Sequence, residues 1–415
     1  MSSELVQLTA VDLRDKIASR DVSPVEVLES FIDRIEMLNP AINAITATCF
    51  ERARAEAEAA EGMARDGTEL GPLFGLPFAV KDLENTKDVL TTYGSPLFKD
   101  FVPSEDSVAV ARLRKAGAIM VGKTNTPEFG AGANTRNPVW GATGNPFNPE
   151  LTAGGSSGGS AAALAVDMLP VCTGSDTGGS LRIPAAFCGV VGYRPSPGMI
   201  PAERRPLGWT PISVLGPMAR NLADARLMFE SQIGVDACDP LTFPQQTGGL
   251  GRPREIDLAS LRVAYSEDFA TGIVDQPIAR AFRRKIEKLS PMFARCDEYA
   301  FDFGEAERCF DIIRAASYVS RYREDYEADP QRLGPNVRAN YELGANMTLA
   351  DFAWAHTEQT RIFRRFQETF RDYDVVLAPT VAVSPFPWQT LYVDEIGGRK
   401  LNNYYHCLLY TSDAA

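Results

Sequence analysis

The sequence predicts an α/β fold, a layered sheet with helices packed on it, from three observations. Helical and strand-like stretches alternate from Ala10 to Gly234. Two glycine-serine clusters lie within TAGGSSGGSAAALAVDMLPVCTGSDTGGSLRIPAAFCGVVG, Thr152 to Gly192, and each stands directly before helix-forming residues. With 45% hydrophobic residues among 415, the chain can bury an enzyme-sized core.

In order, a helix is expected around 10–18 and a second from Ser23, where SPVE joins an N-cap, a first-turn proline and Glu26 at the capping-box position. Leu28, Phe31, Ile32, Ile35 and Leu38 share one face of it, and Asn39-Pro40 is expected to stop it. INAITATCF reads as a strand, and RARAEAEAAEGMA as a solvated helix closed by Asp66-Gly67. GPLFGLPFAVKD turns into an apolar strand ending at Lys81, 108–116 reads as a helix closed by Gly117, and AIMVGKT as a strand. Asn134 to Leu151 is loop-rich, and Trp140 there fills core or packs beside the site. MLPVCT, 168–173, reads as a short buried strand that delivers SDTGGS, with a helix starting at Pro184. Pro195 to Pro217 reads as a proline-rich crossing, and GPMARNLADARLMFESQIG as the opening of a helix in which Arg220 and Asp224 pair. A polar loop follows Gly234, LRVAYSEDF returns as a strand, helices are expected around 277–289, 305–323 and 349–370, and DVVLAPT closes as a late strand. GAIMVGKT also matches G-x-x-x-x-G-K-[ST] letter for letter, but its middle residues are strand-like and NTPEFG is a poor helix start, which speaks against a phosphate loop.

The glycine-serine clusters place Ser156 and Ser157 at a turn before a helix, and Ser180 on a strand-to-helix turn. The successive N–H groups of Thr177, Gly178 and Gly179 beside Ser180 suit a developing oxyanion. One such cluster reads as a flexible turn or a cap, whereas two at this spacing favour a site. A nucleophilic serine needs a base, and the chain has two histidines: His356 in an amphipathic helical stretch and His406 near the end. That disfavours a Ser-His-Asp arrangement and leaves lysine. Lys81 closes an apolar strand beside Asp82, while other lysines sit in charged contexts such as FRRKIEKL. An exposed lysine has a pKa of roughly 10.4, which burial lowers by up to about 3–5 units, so Lys81 must be enclosed to serve.

Lys81 after its strand, GGSSGGS, and TGSDTGGSLRIPAAFCGVVG together resemble the amidase signature family of serine hydrolases. The likeness runs from about Leu13 to Pro379 and includes KTNTPEFG, GPMARNLADA and DVVLAPT. It implies a single domain over 1–406 with a central mixed β-sheet covered by helices on both faces, and a variable helical region, 235–370, bordering a substrate funnel. It implies a Ser-Ser-Lys triad: Ser180 the nucleophile, Ser156 the relay after a cis peptide, and Lys81 the base. The 24 residues from Ser156 to Ser180 match the family's separation and favour Ser156 over Ser157 as relay. Thr177, Gly178 and Gly179 become the oxyanion hole, with Ser157, Asp176 and Arg182 in support, Arg182 bracing the loop through backbone carbonyls or Asp176. The implied reaction is hydrolysis of a linear carboxamide, anilide or ester through an acyl-enzyme, without metal or organic cofactor. The alternative is the glutaminase (A) subunit of a glutamyl-tRNA(Gln)/aspartyl-tRNA(Asn) amidotransferase, which passes ammonia to a protein partner. Thr126-Pro127, where that glutaminase usually carries an acidic residue, favours the free-standing enzyme, and the intact triad disfavours a non-catalytic binding protein. Family members continue past DVVLAPT, so the chain is expected to be C-terminally truncated. CLLYTS, within 407–415, reads as a translated sequencing adapter.

The 42 basic and 54 acidic residues, a net charge of −12, speak against a nucleic-acid partner held by bulk charge. No apolar run is long enough to span a bilayer, and the opening MSSELVQLTAVDLRDK lacks an apolar signal core, so a cytoplasmic location is expected. Seven cysteines without metal-ligand spacing read as free thiols. The expected partner is a small-molecule amide, with no nucleic acid and no membrane; a homodimer is allowed, and a protein partner only under the amidotransferase alternative.

Overall fold

A computed structural model describes residues 2–66, 70–244, 250–251, 255–271, 273–401 and 403–405. His406 and the adapter-like 407–415 lie outside the described residues. The chain forms two compact units, 1–249 with 385–390, and 250–384 with 391–415.

The first unit is built on a mixed sheet of β1 (Ile45–Thr48), β2 (Pro77–Lys81), β3 (Ile119–Thr124), β4 (Val171–Asp176), β5 (Val191–Gly192) and β6 (Val214–Ala219), in the order β1-β3-β2-β4-β6-β5. β2 runs parallel to β3 and β4, and the outer pairings are antiparallel. Its helices are α1 (Ala10–Ser19), α2 (Pro24–Ile42), α3 (Phe50–Arg65), α4 (Val108–Lys115), α5 (Gly158–Ala165), α6 (Arg182–Cys188) and α7 (Leu222–Glu230). Alternation along β2 sorts its side chains. Phe78 and Val80 join the apolar core formed with Leu13, Ile17, Val27, Phe31 and Met228, so Ala79 and Lys81 point to the opposite face.

Local chemistry explains where the elements begin and end. Ser23 and Glu26 form the expected capping box of α2. Pro40 does not stop that helix: α2 runs to Ile42 and ends on Asn43 in the left-handed region, because a proline this close to the end removes one hydrogen bond only. Asn39 then accepts from the N–H groups of Ala44 and Ile45 and secures the exit. β4 begins after Pro170 and continues through Ser175-Asp176, beyond the expected strand; its pairing with β6, from Val214 opposite Asp176 to Ala219 opposite Val171, sets those limits. GPMA is therefore strand and the helix starts at Leu222. Arg220 does not pair with Asp224; it meets Asp167 and the carbonyls of Val6 and Leu8, while Asp224 takes Asn221 and the N–H of Val11. α6 starts at Arg182, ahead of Pro184.

The second unit carries the three-stranded parallel sheet of β7 (Arg262–Tyr265), β8 (Arg295–Glu298) and β9 (Val375–Leu377), with β7 in the centre. Its long helices are α8 (Gln276–Leu289), α9 (Ala306–Ala328), α10 (Pro335–Ala345) and α11 (Leu349–Thr369). α10 was not expected from the sequence, and α9 extends past its expected end at Arg323. Among the described residues no helix is long and apolar enough to cross a membrane.

Candidate active site

β2 is buried along its whole length, and the lysine at its end has no surface exposed to solvent. The Lys81 N–H donates to Thr173 Oγ1 of the neighbouring β4 at 2.8 Å, fixing the strand end. The side chain then reaches the turn ahead of α5, where Nζ lies 2.7 Å from Ser156 Oγ and 2.8 Å from Ser157 Oγ. Ser175 Oγ of β4 completes the ring at 2.9 Å. Burial lowers the Lys81 pKa to about 7, against the opposing pull of Asp176 and Glu84. An amine poised there carries a lone pair at neutral pH and can take a proton from a hydroxyl it touches.

The peptide between Gly155 and Ser156 is cis. The turn fits because position 155 is glycine: a Cβ there would stand 2.7 Å from Gly132 O and 2.8 Å from Ala133 C, against backbone that cannot give. The N–H of Ser157 donates to the carbonyl of Ser180 at 3.2 Å, which ties the two glycine-serine turns together.

The Ser180 turn is organised by Asp176, the last residue of β4 and fully buried. Its carboxylate accepts from the N–H groups of Gly179 and Leu181 at 2.9 and 3.0 Å, and from Arg182 and Arg194 at 2.9 Å each. Burial alone would raise this carboxyl, yet the two guanidinium groups and the backbone donors hold it well below the usual carboxylate range. Arg182 thus braces the loop through Asp176. Gly179, at φ +99°, gives the turn a conformation open to glycine. Its role changes, however: the Gly179 N–H is engaged by Asp176, so it is not available to an oxyanion. Among the described residues no acceptor meets the N–H groups of Thr177, Gly178 or Ser180.

Of the sequence-derived residues, Lys81, Ser156 and Ser157 meet at one amine, Gly179 and Arg182 meet at the Asp176 carboxylate, and Thr177 Oγ1 turns to Ser213 Oγ instead. Sequence reasoning passed over Ser175 and Thr173, whose spacing of two on a strand places both toward Lys81, and Arg194, for which no local signal exists. His356 packs against the Phe352 ring instead, with centroids 4.5 Å apart. Lys123, the lysine of the nucleotide-like pattern, is buried, pushed down to about 8 by that burial, and donates to Thr86 Oγ1 and the Glu84 carbonyl, which leaves it no phosphate role. Trp140 donates to Thr92 Oγ1 at 2.9 Å. Among the described residues no cluster of three His, Cys, Asp or Glu side chains is placed to hold a metal ion.

Residues 26–412 match the family model Amidase. An acylamidase of Rhodococcus erythropolis is 33% identical over 384 residues, 92% of this chain and 80% of that protein. The A subunit of the glutamyl-tRNA(Gln) amidotransferase of Acaryochloris marina is 31% identical over 400 residues, 90% and 83% of the two chains. The solved structure of a bacterial aryl acylamidase of the amidase signature family superposes with a TM-score of 0.88 at 25% identity, covering 98% of this chain and 88% of that one. A lysine buried among three serines, a neighbouring Gly-Gly-Ser turn on a mixed sheet and these three likenesses agree, and the chain belongs to the amidase family.

Proposed function

We propose that this chain hydrolyses a linear carboxamide, R–CO–NH–R′, through an acyl-enzyme on Ser180. The observation that carries the reading is the enclosed Lys81 amine, with a pKa of about 7 and 2.7 Å from Ser156 Oγ. A neutral amine has two N–H donors and one lone pair. Ser157 and Ser175 accept the two donors, which leaves the lone pair for the Ser156 hydroxyl.

Ser156 passes its proton to Nζ as it takes the proton of Ser180 Oγ, and the Ser180 oxygen adds to the carbonyl carbon. The carbonyl π electrons move onto oxygen, where the N–H groups of Thr177, Gly178 and Ser180 receive the charge. On collapse the C–N bond breaks, and the proton held on Lys81 returns through Ser156 to the leaving amine. Water, deprotonated through the same relay, clears the ester, releasing the carboxylate and restoring Ser180. The balance closes with water as the co-reactant and needs no cofactor.

The acylamidase and aryl acylamidase relatives support a simple amide or anilide as substrate. Similarity to the amidotransferase glutaminase keeps a glutaminase reading as the second choice, which Thr126-Pro127 disfavours. A fluorophosphonate probe tests the mechanism: the chain should label covalently and Ser180→Ala should not. Hydrolysis of acetanilide by the chain alone supports the first reading, whereas turnover of glutamine only, and only with a protein partner, would replace it with the second.

A further inference from the structure

A side chain is missing beside the relay hydroxyl, at the point where the buried site gives way to the surface. Ser156 is 3% exposed, whereas its neighbours Gly130 and Leu83 are half-buried. A Cβ on Gly130 would stand 3.5 Å from Ser156 Oγ, 3.9 Å from Ser156 Cβ and 2.9 Å from Leu83 Cδ1. Any side chain at position 130 would therefore fill the space between the relay and Leu83.

The turn around that space is fastened in place. Phe129 and Gly130 both lie in the left-handed region, at φ +51° and +73°, which a bulky residue such as Phe129 rarely adopts. The Phe129 N–H donates to the Tyr93 carbonyl at 2.7 Å, and its ring stacks on that of Tyr93 with centroids 6.4 Å apart. The Glu128 carboxylate accepts from Ser95 Oγ at 2.8 Å, and the Gly130 N–H donates to the Pro127 carbonyl at 2.8 Å. Held on both sides, the turn keeps the gap that glycine leaves.

The reaction supplies an occupant. Ser156 returns the proton to the leaving nitrogen, so that nitrogen must come within hydrogen-bond reach of Ser156 Oγ. Lys81 Nζ takes the inner side of that oxygen at 2.7 Å. The nitrogen and its substituent R′ are left the side bordered by Gly130 and Leu83.

We propose that Gly130, with Leu83, determines which amine the chain releases: the absent side chain makes room for an aryl group R′ on the leaving nitrogen. The inference rests on the amide-hydrolase reading and deepens it by assigning selectivity for the amine half to a wall of the first unit. Acetanilide and acetamide carry the same acyl group and release aniline and ammonia, so the ratio of their rates isolates the amine. The substitution Gly130→Ala is strained by its φ and should slow both. It should lower kcat/KM for acetanilide at least about tenfold more than for acetamide, the weight of one methyl group in a tight pocket. Fluorophosphonate labelling of Ser180, which involves no amine, should follow acetamide. Leu83→Ala widens the same wall without touching the turn and should raise kcat/KM for N-naphthylacetamide relative to acetanilide at least about tenfold; this ratio decides the matter if Gly130→Ala no longer labels. Equal losses on acetanilide and acetamide in a Gly130→Ala chain that still labels, or an unmoved naphthyl ratio in Leu83→Ala, would overturn the inference and leave the hydrolase reading standing. A parent that hydrolyses neither amide would overturn both.

Discussion

At the scale of single residues the chemistry turns on one amine. Lys81 is lowered from 10.5 to about 7, first of all by burial, so in the proposed mechanism the base is protonated and idle below that pH and free above it. kcat/KM should therefore rise with pH through an apparent pKa near 7 and level off on the alkaline side, measured on an amide whose own groups do not titrate. Ser175→Ala identifies the group responsible. Its hydroxyl accepts from Nζ and stabilises the ammonium more than the amine; its loss should move the acid limb to lower pH while kcat falls by about tenfold, the weight of one hydrogen bond. Lys123, the other buried lysine with a lowered pKa, donates to Thr86 and not to Ser175, so a limb governed by it would stay in place. Scarce histidines pointed the sequence reading to Lys81 and the glycine turns pointed it to the Ser156-Ser157 pair, between which only the family resemblance chose Ser156. The sequence hid Ser175, since a serine on a strand carries no mark of what it faces until the register of that strand is known.

At the scale of elements the nucleophile turn depends on the end of β4. Asp176 gathers two backbone N–H groups and two arginines in one buried place. Asp176→Asn keeps the shape but takes from both guanidinium groups the buried carboxylate they share, and should destabilise the chain by about 3–5 kcal/mol in urea unfolding. Because the same carboxylate holds Gly179 and Leu181, the rate of fluorophosphonate labelling should fall well before unfolding, in proportion to the disorder of the Ser180 turn. Elements with local punctuation could be read directly: Ser23 with Glu26 starts α2, and Gly117 at φ +94° closes α4. β6 could not, because Gly216 and Pro217 signal a loop to any local rule. It is a strand because β4 and β5 pair with it on either side, a cause lying well outside its own stretch of chain and beyond propensity. α2 passes through Pro40 for the converse reason, since a breaker near a helix end has little left to break.

At the scale of the whole molecule the chain returns to its first unit late, at 385–390, a connection that alternation of helix and strand cannot announce. The returning segment presents carbonyls that the first unit needs. Phe386 O accepts from the Thr152 N–H at 2.8 Å, and Trp388 O and Thr390 O accept from the Asn134 side chain at 2.8 Å each. Asn134 Oδ1 in turn accepts from Thr152 Oγ1 at 2.9 Å, and the Asn134 backbone lies against Gly155, next to the cis peptide. One buried amide therefore spans the returning segment and the turn that carries Ser156. Asn134→Ala removes it and leaves two carbonyls and a hydroxyl without that partner, a loss of roughly 1–3 kcal/mol. The Thr152 N–H, protected by Phe386, should then exchange with solvent at least about tenfold faster, since each 1.4 kcal/mol is a factor of about ten in opening. Unchanged exchange at Thr152 alongside lowered global stability would assign Asn134 to general packing. Faster exchange together with a reduced kcat would show that the late return of the chain holds the Ser156 turn in register.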